Sequence, residues 1–461
     1  MRGEGTVVKK QEKYPVPEPI MSINSHENAV LDKASATQST GKMRFVILTV
    51  LSVGIAINYI DRAAMSVAIP FMSHDLQLSS TDSGLLLSAF FWSYVLFQLP
   101  GGWLVDKLGP RITFAVSSLG WGLATAACGL ASGLASLVGF RFVLGAVEAP
   151  SYPASSSTVT RWFPRQERSF AAATFNNGSK IGGTLAIPII SFLIALVGWR
   201  MTFVISGLIA MVWAAGWYYW YRDPQDHKTV SRAEVEYIEA NQDPQTGAPM
   251  SIRQLLSQRT VQAMMAGFFC INFVSYFFFT WFPTYLVETF HLPLMKFGLL
   301  GMLPGIAAII GGWCGGLLSD GLVKRGVSLT TARKIPLVGG MLGSAVIGLA
   351  AFSPTVTLAL SALCFANFAA TFASAALWAL PSDVAPNRAN VATIGGIQNM
   401  AANLAGIISP ILIGVLMQFT HSFVIPLVLA GIVGLIGALI YGFWLPSVQP
   451  MQLNNVEGSP V

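Results

Sequence analysis

Five ionisable residues stand inside long apolar runs of this chain: Asp61, Arg62, Arg141, Glu148 and Lys180. A charge at the centre of a lipid layer costs about 2.5–3.5 kcal/mol on insertion scales, so each is a candidate for function. Arg62 presents a rigid, planar fork that matches a carboxylate in a bidentate pair, which makes it a candidate anion clamp. The other readings of Arg62 are a structural ion pair and snorkelling to a membrane interface. Asp61 precedes it and points about 100° away on a helix, so the two cannot share a face. Glu148 lies mid-run, where a carboxylate can take up and release a proton; the alternative is a permanently paired carboxylate. Arg141 lies two helical turns earlier on the same face, about 10 Å nearer the outside, which suits a gate or a structural role better than substrate contact. Lys180 either pairs with Glu148, snorkels inward, or adds a second cation for a dianion or a bulky polar acid.

Polar and aromatic groups lie on the same runs. Tyr59, Tyr94, Asn176, Ser179, Trp378, Asn399 and Asn403 are candidate substrate contacts, since such groups orient hydroxylated ligands. Each has the competing reading of an interhelical hydrogen bond, common in membranes. The cluster Phe277–Phe279 with Trp281 and Phe282 reads as packing.

Lipid is the solvent that the composition requires. Of 461 residues, 53% are hydrophobic and 10% charged, against roughly 25% charged in a soluble domain. Mean hydropathy is +0.60. The apolar runs are long and continuous, as spanning helices need, and do not alternate as barrel strands do. Twelve spans are expected, at about 43–71, 82–104, 112–133, 135–158, 168–196, 199–221, 259–288, 296–319, 333–352, 354–381, 388–418 and 421–445. The fold class is thus an all-α polytopic membrane protein. The net charge of +6 does not signal nucleic acid, because the basic residues sit in short loops between spans. Cys128, Cys270, Cys314 and Cys364 each lie in an apolar run without a metal-type spacing, so neither metal nor cofactor is expected.

Lysine and arginine set the orientation. With the N-terminus inside, the inner loops hold Lys107, Arg111, Arg161, Arg165, Arg168, Arg222, Lys228, Arg232, Arg253, Arg259, Lys324, Arg325, Arg333, Lys334 and Arg388, and the outer loops only Arg200 and Lys296. Both termini are then cytoplasmic. Residues 1–42 and 446–461 read as tails, the first disordered. A charged loop at 222–258, with a surface helix over 231–240 capped by Ser231, divides six-span halves at 43–221 and 259–445.

The halves repeat. Gly101-Gly102-Trp103-Leu104-Val105-Asp106 followed by Lys107 and Arg111 is echoed by Gly315-Gly316-Leu317-Leu318-Ser319-Asp320 followed by Lys324 and Arg325. Parallel six-span halves with a site at the midplane are a transporter architecture. The loops at Asp106, Lys107, Arg111 and Asp320 are candidate inner gates.

The Gly-x-x-x-Asp-Lys-x-Gly-x-Arg loop resembles the signature of the major facilitator superfamily. Asn58-Tyr59-Ile60-Asp61-Arg62, Gln98-Leu99-Pro100-Gly101-Gly102, Arg141 through Glu148 and Pro150, and Gly395-Gly396-Ile397-Gln398-Asn399 through Asn403 and Gly406 narrow it to the anion:cation symporter family. That family includes bacterial sugar-acid and aromatic-acid transporters. The resemblance covers about residues 43–445. It implies the major facilitator fold in two pseudo-symmetric six-helix bundles, substrate contacts at Arg62, Tyr94 and Asn399, and proton coupling involving Asp61. Lys180 departs from the pattern.

The expected function is proton-coupled uptake of a small organic anion, a sugar acid of the galactonate, glucarate or hexuronate type, by a monomer in a bacterial inner membrane. Aromatic or dicarboxylic acids, and exchange without a proton, are the alternatives. An ATP-driven pump has no phosphate-binding loop here, and no serine–histidine or paired-aspartate constellation for an intramembrane protease lies at depth.

Overall fold

The computed structural model describes residues 41–240 and 251–451, so the expected tails over 1–40 and 452–461 and the middle of the interdomain loop lie outside the described residues. Among the described residues every regular element is helical. Among the described residues ten helical segments are long and apolar enough to cross a membrane. Two of them, Ser80–Cys128 and Arg168–Trp220, are 49 and 53 residues long. A 30 Å layer takes about 20 residues at 1.5 Å each, so each of these must cross twice. Each bends at one glycine, Gly109 at φ 77° and Gly198 at φ 76°, an extended left-handed geometry that a side chain would strain. Twelve spans result, and both bends fall where the sequence places a turn between spans.

Span one is Met43–Leu76. Spans two and three lie before and after Gly109, and spans five and six before and after Gly198. Span four joins Leu134–Glu148 to Ser151–Trp162. Span seven joins Arg259–Thr280 to Phe282–Phe290, and span eight joins Leu294–Gly301 to Leu303–Lys324. Span nine is Leu329–Ser344 with a 3₁₀ continuation, Ala345–Phe352. Span ten joins Val356–Leu377 to Leu380–Val384, span eleven is Arg388–Thr420, and span twelve starts as Val424–Leu439. The breaks in spans four, seven, eight and ten each sit just before a proline (Pro150, Pro283, Pro304 and Pro381), which removes an amide donor and clashes with the preceding turn.

The two six-helix halves meet at the end that carries the sparsely charged loops. Span two lies on span eleven so closely that a Cβ on Gly84 would sit 2.5 Å from the Pro410 carbonyl oxygen. The Ser80 amide donates to Gln418 Oε1 at 3.2 Å across the same seam. Span eight lies on span five through Gly298, Gly301 and Gly305. At the basic end each half ties to itself, through Arg161–Asp223 in one and Arg333–Asp320 and Arg333–Asp383 in the other. Exposure falls along span five from Asn176, which is exposed, to Thr184 at 8% and Ser191 at 1%. The cleft between the halves therefore opens toward the basic end.

The helix expected in the interdomain loop is Arg232–Ala240, with Ser231 Oγ accepting from the Glu234 amide at 3.2 Å. It is fastened to the first half. Glu234, fully buried, accepts from the Met43 and Arg44 amides at 3.2 and 3.1 Å and so caps span one. Arg44 also reaches Glu167 at 2.8 Å, and the Tyr237 hydroxyl donates to the same carboxylate. Nearby, His227 packs edge-on to Trp162 and Trp220; burial, with Arg222 beside it, holds its imidazole below the usual histidine range.

Candidate functional site

Helical spacing on span one turns Tyr59 and Arg62 toward the interior of the cleft. Arg62 is 7% exposed and is sandwiched by rings, its guanidinium 4.4 Å from Phe90 and 4.9 Å from both Tyr59 and Tyr94. It does not stand free. Its Nε donates to Glu148 Oε1 at 3.0 Å, and its Nη2 joins the same oxygen. Glu148 is 1% exposed and ends the first segment of span four, directly before the proline break. Among the described residues its Oε2 makes no hydrogen bond of ordinary geometry, and the Asn58 side chain lies beside that carboxylate. The pairing of Lys180 with Glu148 considered from sequence is not found; Arg62 occupies that carboxylate.

Arg141 is 3% exposed, two turns from Glu148, with its guanidinium 5.3 Å from the Phe90 ring that Arg62 also contacts. Its Nε has no partner. Asp61 points away from Arg62, as the helix demands, and is 3% exposed; among the described residues its Oδ2 accepts no hydrogen bond of ordinary geometry, with the Trp121 side chain beside the carboxylate. Four buried charges thus gather behind one cavity wall, and in their ordinary charge states they sum to zero.

The cavity holds about 300 Å³ and lies between the halves. Tyr59, Arg62, Ser179, Lys180 and Thr184 line it from the first half. Asn272, Tyr276, Phe279, Asn367 and Thr371 line it from the second. The Lys180 ammonium crosses to span eight and lies 2.9 Å from where a Cβ on Gly312 would be. Among the described residues no carboxylate comes within ion-pair distance of it. A hydroxyl chain flanks the cavity: Tyr59 Oη is 3.4 Å from Tyr152 Oη, which donates to Asn176 Oδ1 at 3.2 Å.

Of the expected contacts, Arg62, Tyr59, Ser179 and Lys180 line the cavity, while Tyr94 stacks behind Arg62 and Asn176 orients Tyr152. Trp378, Asn399 and Asn403 do not line it. Trp378 is 57% exposed and packs edge-on against Phe268, because span ten breaks there and turns the ring outward. Asn403 spends its amide on the Asn399 carbonyl one turn back, at 3.1 Å. Asn272, Tyr276, Asn367 and Thr371 went unremarked in the sequence; the signal for the two amides was an asparagine inside an otherwise apolar run.

The loops expected to gate the inner end are not engaged across the halves in this state. Asp106 is exposed, Lys107 lies 5.0 Å from the Trp103 ring, and Arg111 donates to the Tyr218 carbonyl at 3.1 Å. Asp320 accepts from Arg333 at 3.2 Å, and Arg333 also reaches Asp383 at 2.7 Å.

Residues 51–395 match the family model of the Major Facilitator Superfamily. The chain belongs to that superfamily. As a major facilitator protein it is a multi-pass membrane transporter and not an enzyme. It is 36% identical to the probable galactarate/D-glucarate transporter GarP of Escherichia coli K12 over 445 residues, which cover 92% of this chain and 100% of that one. It is 34% identical to a D-galactonate transporter of Escherichia coli O6:H1, over 87% of this chain and 95% of the relative. A probable sulfoacetate transporter of Cupriavidus necator is 33% identical, over 86% and 93%. In three dimensions this major facilitator chain overlays a bacterial homolog of the human lysosomal transporter Spinster, in its inward-facing and unoccupied conformation, with a TM-score of 0.74 at 19% identity, over 87% of this chain and 97% of that one. At that identity the overlay speaks for the fold alone.

Proposed function

We propose that this chain takes up a sugar acid together with a proton, by alternating access, across a bacterial inner membrane with both termini cytoplasmic. The observation that carries the reading is the buried Arg62–Glu148 pair at the wall of the cavity. Paired, the two charges cancel. A proton on Glu148 releases the guanidinium, and a carboxylate can then take the vacated fork. Anion plus proton leaves the wall as neutral as the empty pair was. Either one alone leaves a buried charge uncompensated, which is costly, so closure favours both or neither. Asp61, whose Oδ2 accepts no hydrogen bond of ordinary geometry among the described residues, is a second place for the proton.

The sugar-acid class rests on the relatives, whose names include galactarate, D-glucarate and D-galactonate. Tyr59, Tyr152 and Ser179 supply hydroxyl groups suited to a polyhydroxylated chain, and Asn367, whose Nδ2 is held by the Pro304 carbonyl at 3.0 Å, offers its Oδ1. The Lys- and Arg-rich loops support the cytoplasmic placement of the open end.

The test is uptake into proteoliposomes under an imposed inward proton gradient, across sugar acids, aromatic acids and phosphate esters, with Glu148→Gln alongside. Expected is concentrative uptake of sugar acids that collapses with the gradient, and a Glu148→Gln protein that exchanges substrate but does not concentrate it. Gradient-independent exchange untouched by Glu148→Gln would make Glu148 structural and the symport reading wrong.

A further inference from the structure

Lys180 is the charge that the symport cycle leaves over. The four buried charges behind the cavity wall sum to zero, and a proton with a monoanion keeps that sum. Lys180 then remains a lone ammonium in the cavity, without a carboxylate at ion-pair distance among the described residues. Closing the cleft over it, with the site empty or holding a monoanion, would desolvate an unpaired cation that the neutral Arg62–Glu148 wall does not offset. A second anionic group on the substrate removes that penalty.

The packing of spans one and five sets how far apart the two cations stand along the helix axes. Cβ atoms on Gly178 and Gly182 would lie 2.5 and 2.3 Å from the Ser52 and Ala56 carbonyl oxygens, so the two helices run parallel with their backbones in contact. In that register Lys180 is level with Gly54. Arg62 lies two turns farther along, a rise of about 12 Å. Both side chains lean toward the basic end, Arg62 back over Tyr59 and Lys180 across to Gly312, so the offset survives at the charged ends. A chain of six carbons extends about 6 Å between its terminal carbons, at the advance per bond of an extended backbone. With a charge-assisted contact of about 2.8 Å at each end it spans roughly the same 12 Å.

We infer that the preferred substrate is a dianion with acid groups at both ends of a chain of about six carbons, one held at Arg62 and the other at Lys180, with Gly312 of the facing half as the seat for the ammonium. This assignment rests on the sugar-acid reading above and narrows it from sugar acids in general to sugar diacids.

The test compares galactarate with D-galactonate, which differ at one end, where a carboxylate replaces a hydroxymethyl group. Uptake of both is measured in proteoliposomes holding the full chain. Expected is a KM for galactarate at least about 10-fold below that for D-galactonate, as for a site built around a charged group. Lys180→Gln should raise the galactarate KM about 10-fold more than the D-galactonate KM. Gly312→Ala keeps the charge but fills the ammonium's seat, and should narrow the preference without reversing it. Equal KM values in the unaltered protein, or equal losses for both acids in Lys180→Gln, overturn the diacid assignment and leave the sugar-acid reading standing. Tighter uptake of sulfoacetate, a two-carbon dianion, overturns the length. Entry of neither sugar acid under any gradient removes the sugar-acid reading itself, and the assignment with it.

Discussion

The two halves share a fold and divide the chemistry. All five charges at depth, Asp61, Arg62, Arg141, Glu148 and Lys180, belong to the first half. The second half faces them with uncharged groups: Asn272, Tyr276, Phe279, Asn367, Thr371 and the glycine seat at Gly312. Its own charges, such as Asp320, Arg333 and Asp383, tie together at the basic end. A pseudo-symmetric scaffold thus does not require a symmetric site. One half can hold charge and proton while the other shapes the wall and moves.

The sharpest way to break this contrast is to exchange one residue in each half. Arg62→Lys keeps the charge but loses the fork and the ring stack, and should cut sugar-acid uptake about 100-fold or more. Asn367→Ala on the opposite wall should cost only about 10-fold, mostly in KM. The reverse order would show the second half to be the anchor. Next in size is Asp106→Asn: on the proposal that the loop acts on closure and not on the cavity, we expect about a 10-fold slower turnover with KM within about twofold. Equal loss of binding argues against a gate. At the seam, Gly84→Ala drives a methyl into the Pro410 carbonyl and should disfavour this state. Spin labels at Gln77 and His421 would report a longer distance between the halves; an unchanged distance means that the seam yields locally.

The smallest effect concerns the interdomain helix, which the structure attaches to the first half. His227 has its proton affinity lowered in the fold, so its neutral form is the docked one. Stability from that docking is complete above the ordinary histidine value of about 6.5 and declines as pH falls below it, because the released loop binds the proton more readily. Amide exchange over 232–240 should therefore quicken modestly between pH 7.5 and pH 5.5, and His227→Gln should flatten that dependence. Equal pH response in the variant assigns the effect elsewhere.

Much of this organisation was legible in the chain. Continuous apolar runs and the repeated Gly-Gly-x-x-x-Asp loop lead to twelve spans in two halves because lipid leaves few other ways to satisfy a backbone. Arg62 and Glu148 stood out because charges are rare at depth. Their mutual bond was not legible, since spans one and four are 86 residues apart in sequence and only packing brings them together. Asn403 shows the opposite limit. A polar side chain on an apolar helix can serve a cavity or its own backbone, and spacing does not distinguish the two. Trp378 shows a third: the break before Pro381 re-aims a ring in a way that periodicity does not register.

The glycines that press span five onto span one make Arg62 and Lys180 a rigid gauge. A pair of helices touching backbone to backbone leaves no room for independent sliding. On the proposed cycle the cargo's acid groups travel with the first half, while Gly312 of the facing half moves relative to the Lys180 ammonium as the cleft changes sides. A ligand moves an equilibrium only through the difference in its affinity for the two states. On this reading the cargo distinguishes the states in two ways, through the charge it cancels when the cleft closes and through its contacts with the far wall at Asn272, Tyr276, Asn367 and Thr371. A diacid analogue carrying a bulky branch toward that wall would be held in one state and would stall the transporter there.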